Sequence, residues 1–122
     1  METRTQKHAR AAYPKISAIQ GSPMEKKYAA LALNFPVMVL QSGLAQATGF
    51  LLAKGRAEHH QYLNDLADVL GEGTGQQFHG KIIASTLADY QHLTRRTLDA
   101  AGWFKRYAQG LLGAEATAGD AP

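Results

Sequence analysis

The chain has no cysteine. That excludes a disulfide scaffold, a thiolate nucleophile and a cysteine-built zinc site. It also has only 4 prolines, and nowhere a run of alternating apolar and polar residues bounded by turn signals, so β-strands are not expected. Its most unusual absence is one of charge. From Tyr28 to Ala53, between Lys27 and Lys54, there is no Asp, Glu, Lys or Arg. A membrane span needs about 20 predominantly apolar residues, and Asn34, Pro36, Gln41, Ser42, Gln46 and Thr48 interrupt this stretch. It therefore reads as a buried helix. The opening residues METRTQKHAR carry charge and no apolar run before a cleavage site, which predicts no signal peptide and a cytoplasmic protein.

What is present is helical periodicity along nearly the whole 122-residue chain. The expected fold is all-α, one compact bundle of about five or six helices over residues 1–112, with a disordered tail over 113–122. A first helix is predicted over residues 3–20, kinked or broken at Pro14, since an interior proline costs about 3 kcal/mol and frees the carbonyl four residues earlier. A second covers 24–33 and a third 36–54, with Pro36 as the corner between them. A fourth spans 57–70, with Gly55 and Gly71 as C-terminal caps. The loop GEGTG at 71–75 is expected to be mobile. A short helix over 76–84 precedes a long one, capped by Ser85 or Thr86 and ending near Leu112.

In the uncharged stretch Val39, Leu40, Gly43, Leu44, Ala47, Phe50 and Leu51 share one face. Gln41, Ser42, Gln46 and Thr48 are expected on the other, a polar but uncharged surface suited to cover by another helix or a second subunit. Charge is uneven elsewhere in a chain whose net charge is +3. Basic residues gather near the start (Arg4, Lys7, Arg10, Lys15, Lys26, Lys27) and on the last helix (Arg95, Arg96, Lys105, Arg106). Between them Glu58, Asp65, Asp68 and Glu72 fall in a segment with no Lys or Arg, an acidic helix that would repel phosphate and favour a basic protein neighbour.

Enzymatic motifs are wanting. The string GQQFHGK at 75–81 has P-loop spacing, but Ile82 follows where magnesium needs a hydroxyl, no strand precedes it, and Phe78 and His79 crowd the loop. His59 and His60 are adjacent and diverge on a helix, with no partner at zinc-site spacing, so neither a metal nor a cofactor is expected. His8, His79 and His92 read as partly buried polar residues. The last helix carries the most specific hint. Arg95 and Arg106 lie about three turns apart on one side, close to Arg96 and Trp103, a combination that suits phosphate pairing and base stacking in RNA. Trp103 packed against a neighbouring helix is the simpler reading. Lys105 falls on the apolar stripe, where it would snorkel or meet an acid across an interface.

These segments, taken in order, resemble the small subunit of type III-B CRISPR effector complexes, the Cmr class of RNA-guided assemblies. The likeness is carried by TRTQ from Thr3, KKYAALA from Lys26, FPVMVLQSGLAQATGFLLAK from Phe35, YLNDLA from Tyr62, LADYQHLTRRTL from Leu87 and WFKRYA from Trp103. Pro14, the 71–75 loop and the last ten residues depart from it. The resemblance implies a non-catalytic helical protein. Several copies of it would stack beside the filament of backbone subunits and, with the large subunit, line the channel for guide and target RNA. It points to Arg4, Lys7, Lys26, Lys27, Lys54, Arg95, Arg96 and Arg106 for RNA, and to Gln41, Gln46, Asp65, Asp68, Trp103 and Lys105 for contacts with other subunits. The alternatives are the type III-A small subunit and a self-associating helical adaptor without RNA.

Overall fold

The computed structural model describes residues 1–115. Six helices follow one another: α1 (Arg4–Ile19), α2 (Glu25–Ser42), α3 (Leu44–Lys54), α4 (Ala57–Val69), α5 (Gly75–Ala84) and α6 (Leu87–Leu111). No strand occurs among the described residues. The longest helix, α6, packs against α1, α2 and α4, while α3 and α5 close the far side against α4 and each other. Of the expected tail, Gly113–Glu115 continue the chain beyond α6 without regular structure, and the rest lies outside the described residues.

Tyr62 stands at the centre of the core. Its ring meets Tyr28, Phe35 and Phe104 at centroid distances of 5.6, 5.3 and 5.5 Å, joining α2, α4 and α6 through one aromatic group. The Tyr28 hydroxyl donates to Asp65 Oδ2 at 2.8 Å, whereas the buried Tyr62 hydroxyl has no partner among the described residues. Ala12 and Ile16 of α1, Leu44 and Leu51 of α3, and Phe78 and Ile82 of α5 fill the remaining interior.

Neither proline breaks its helix. Pro14 lies within α1 and Pro36 within α2, both of which run on past them. Each costs a backbone hydrogen bond, yet buried residues on both sides (Ala12 and Ile16, Phe35 and Val39) hold the helix together. The corner predicted at Pro36 sits instead at Gly43. Its φ of +89° with ψ of 159° is open only to glycine, and the hydroxyl of Tyr90 lies 3.3 Å from where a Cβ would be. That hydroxyl accepts from the Ala45 amide at 3.1 Å and so caps the start of α3 from α6.

This shift redistributes the uncharged stretch. Leu40, expected to face inward, is 72% exposed, and Phe50 is also exposed. Thr48, expected on the polar face, is buried, its hydroxyl 2.7 Å from His79 Nδ1 on α5. Gln41, Ser42 and Gln46 do lie on the surface. The end caps fall as predicted: Gly55 and Gly71 take positive φ after α3 and α4, and the Thr86 hydroxyl accepts from the Asp89 amide. The P-loop-like string lies within α5, whose capping box joins Thr74 and Gln77.

Candidate nucleic-acid interface

The α1–α6 contact joins the two helices that carry Arg4, Lys7, Arg95 and Arg106. A capping box between Thr3 and Gln6 starts α1, leaving Arg4 and Lys7 one turn apart and exposed. The two helices are then joined by polar links that sequence spacing does not reveal. Trp103 Nε1 donates to Thr5 Oγ1 at 2.9 Å, His8 Nδ1 lies 2.6 Å from Asp99 Oδ2, and the Tyr107 hydroxyl donates to the Ala9 carbonyl at 3.0 Å. Tyr107 also meets Tyr13 edge-on at 5.4 Å and Trp103 at 5.6 Å. The Arg106 guanidinium lies over the indole of Trp103, 5.4 Å from its centroid.

Thr5 and Trp103 thus join the turn of α1 that carries Arg4 to α6, and the His8–Asp99 contact joins the turn that carries Lys7 to the helix that carries Arg95 and Arg106. No ion pair among the described residues engages Arg4, Lys7, Arg95 or Arg106. Asp99, one turn after Arg95 on α6, is occupied by His8. Arg4, Lys7, Arg95 and Arg106 are thus four exposed cations on two helices that hydrogen bonds join. Trp103 packs within the chain, against α1, and is only partly exposed; Lys105 is half-buried and joins no ion pair among the described residues.

The other predicted RNA residues lie elsewhere. Arg96 belongs to the fold: its guanidinium donates to the Leu70 carbonyl at 2.7 Å and to Glu72 Oε2 at 3.2 Å. Lys26 and Lys27 are exposed on the first turn of α2. Lys54 ends α3 and covers the Phe50 ring at 5.5 Å, on a helix that packs against α2, α4 and α5.

The acidic helix is not a free acidic face. Asp65 is buried and accepts from Tyr28 and Gln61, each at 2.8 Å. Its burial holds the carboxyl above the usual carboxylate range, against those two hydrogen bonds and the nearby Lys15. Asp68 takes Lys15 Nζ at 2.7 Å, a bond that raises the lysine pKa although partial burial opposes it. Glu72 accepts Lys81 at 2.9 Å and Arg96. Burial pushes its carboxyl up, but the hydrogen bonds and charges of these two cations together bring it below its ordinary value. Glu72 so ties the 71–75 loop to α5 and α6, and the Gly75 amide donates to Asn64 at 2.6 Å. The loop expected to be mobile is pinned at both ends. Among the described residues no three His, Asp or Glu side chains converge where a metal ion could be held, and no helix is long and apolar enough to cross a membrane.

Residues 4–111 match the family model described as CRISPR-associated protein (Cas_Cmr5). The chain belongs to the Cmr5 family. A Thermus thermophilus protein named CRISPR system Cmr subunit Cmr5 is 39% identical over 112 residues, covering 92% of this chain and 98% of its own length. The crystal structure of a CRISPR-associated Cmr5 family protein from Thermus thermophilus superposes with a TM-score of 0.88 at 40% identity, over 91% of this chain and 98% of that one. The matched span contains the α1–α6 face from Arg4 to Arg106, so that face lies wholly within the Cmr5 unit.

Proposed function

We propose that this Cmr5 chain is the non-catalytic small subunit of a cytoplasmic type III-B CRISPR effector complex. Several copies stack beside the backbone filament and, with the large subunit, hold target RNA in the guide–target channel. Membership of the Cmr5 family supports the assembly, and the α1–α6 surface carries the RNA role. Four exposed cations with no acidic partner among the described residues lie on these two helices, which the Thr5–Trp103 and His8–Asp99 links join. Guanidinium groups at Arg4, Arg95 and Arg106 suit bidentate pairing with phosphate, and Lys7 adds a point charge. Lys26, Lys27 and Lys54 lie off this face and would reach RNA only through a neighbouring copy.

Each phosphate neutralised adds about 0.7 to the salt slope of single-strand binding, so four contacts give a slope of about 3 and weak affinity for the free chain. Assembly supplies the remainder. The test is target-RNA retention by the assembled complex carrying Arg95→Glu with Arg106→Glu. Retention should fall at least about tenfold and lose part of its salt dependence. Unchanged retention by a complex of normal composition would remove the α1–α6 face from the RNA path.

A further inference from the structure

A cavity of about 520 Å³ lies between the second half of α1, the turn leading into α2, and α4, a size within the roughly 300–1,000 Å³ of small-molecule sites. Pro14 and Ala18, one turn apart on α1, form an apolar wall with Ile19 and Met24. The polar part of the lining is Lys15, Ser22, Gln61 and Asp65. Asp65 is the odd member. A buried carboxylate is ordinarily paired with a cation, yet this one is met by two neutral donors, Tyr28 on Oδ2 and Gln61 on Oδ1, and joins no ion pair among the described residues. Lys15, the base in the lining, is taken by Asp68 at 2.7 Å, so two carboxyls face one ammonium.

Two acceptors at this wall are left with capacity. Each Asp65 oxygen accepts one hydrogen bond and has room for a second. The Ser22 hydroxyl is buried and has no partner among the described residues, a cost that a native fold seldom leaves unanswered. We infer that the cavity binds an organic cation, an alkylammonium of the linear polyamine class. One ammonium pairs with Asp65, the Ser22 hydroxyl accepts from the same chain, and the methylenes lie along Pro14, Ala18, Ile19 and Met24. An ammonium has donors and no acceptor, which matches polar groups that still accept. An anion would meet the Asp65 carboxylate with only Lys15, already engaged, to hold it. The contact involves neither RNA nor another subunit. Burial holds the Asp65 carboxyl above its usual range, with Asp68 adding to the effect and Tyr28, Gln61 and Lys15 opposing it. A bound cation favours the ionised form, so affinity rises as pH rises through the folded value of this carboxyl.

Isothermal titration calorimetry of the full chain with spermidine tests this. The wild type should bind saturably with one-to-one stoichiometry, and more tightly as pH rises from about 4 to 7. Asp65→Asn removes the counter-ion, while Ala18→Phe fills the cavity from an exposed position and leaves every charge in place. Each should weaken binding at least about tenfold. Asp89→Asn, at an exposed acid on α6, should leave it unchanged. Circular dichroism checks that each variant is folded, and Ala18→Phe decides the matter alone if Asp65→Asn is not. Absence of saturable binding by the wild type would overturn the inference. So would an affinity indifferent to pH, retention of wild-type affinity by either cavity variant, or an equal loss in Asp89→Asn, which would mean diffuse attraction to surface acids.

Discussion

At the residue scale, two carboxylates pull stability in opposite directions with pH. Burial raises the Asp65 carboxyl, so the folded chain keeps this proton to higher pH than the unfolded chain does. Its contribution is therefore most favourable below the usual carboxylate range and falls as pH rises through the folded value. The Glu72 carboxyl, lowered by Lys81 and Arg96, adds stability that is present above its unfolded value and lost as pH falls. Asp65→Asn should remove the first effect alone. Urea midpoints measured from about pH 4 to 7 should then rise more steeply with pH than in the wild type. Arg96 is engaged within the chain, unlike its exposed neighbour Arg95. Its donors reach Leu70 and Glu72, so Arg96→Glu should cost about 3 kcal/mol or more by leaving Glu72 enclosed without this partner. Arg95→Glu, on an exposed position, should change the thermal midpoint little. If both substitutions proved equally mild, Arg96 would return to the surface set.

At the element scale, the sequence disclosed the helices better than it disclosed their joints. The bounds of α4, α5 and α6, and caps at Gly55, Gly71 and Thr86, follow from apolar spacing and local backbone chemistry. The corner between α2 and α3 does not. Proline weakens a helix by a fixed local amount, and buried neighbours such as Phe35 and Val39 can outweigh it; whether they do depends on partners remote in sequence. Gly43 is favoured as the break because Tyr90, 47 residues later, caps the new N-terminus. Gly43→Ala should accordingly cost about 1–3 kcal/mol, read from chemical denaturation, since the added methyl meets both the positive φ and the Tyr90 hydroxyl. A neutral result would mean that the corner can relax. The basic face was legible for similar reasons only in part. Arg95 and Arg106 share a visible spacing on one helix, whereas the packing of that helix against the one carrying Arg4 and Lys7 depends on Thr5 and His8, which carry no signature in the sequence. The partners of the acidic segment, such as Lys15 and Arg96, come from other helices and so do not show in its own sequence.

At the scale of the whole molecule, α1 and α6 tie the beginning of the described chain to its end. Thr5 bonds to Trp103 and Ala9 to Tyr107, contacts that each span 98 residues. The longest helix, α6, is thus the last one among the described residues, and it supplies Phe104 and Ala108 to the core. A chain ended at Thr86 should retain some helicity by circular dichroism but show no cooperative thermal transition. A sharp transition would show that α1 to α5 form a core unaided. During synthesis, the ribosome delivers α1 long before its partner emerges, and its buried stripe of Ala12, Ile16 and Ile19 must wait uncovered. Loop closure over nearly the full chain then sets the folding rate, so this helical protein should fold more slowly than its helix content suggests and depend on chaperone protection in the interval.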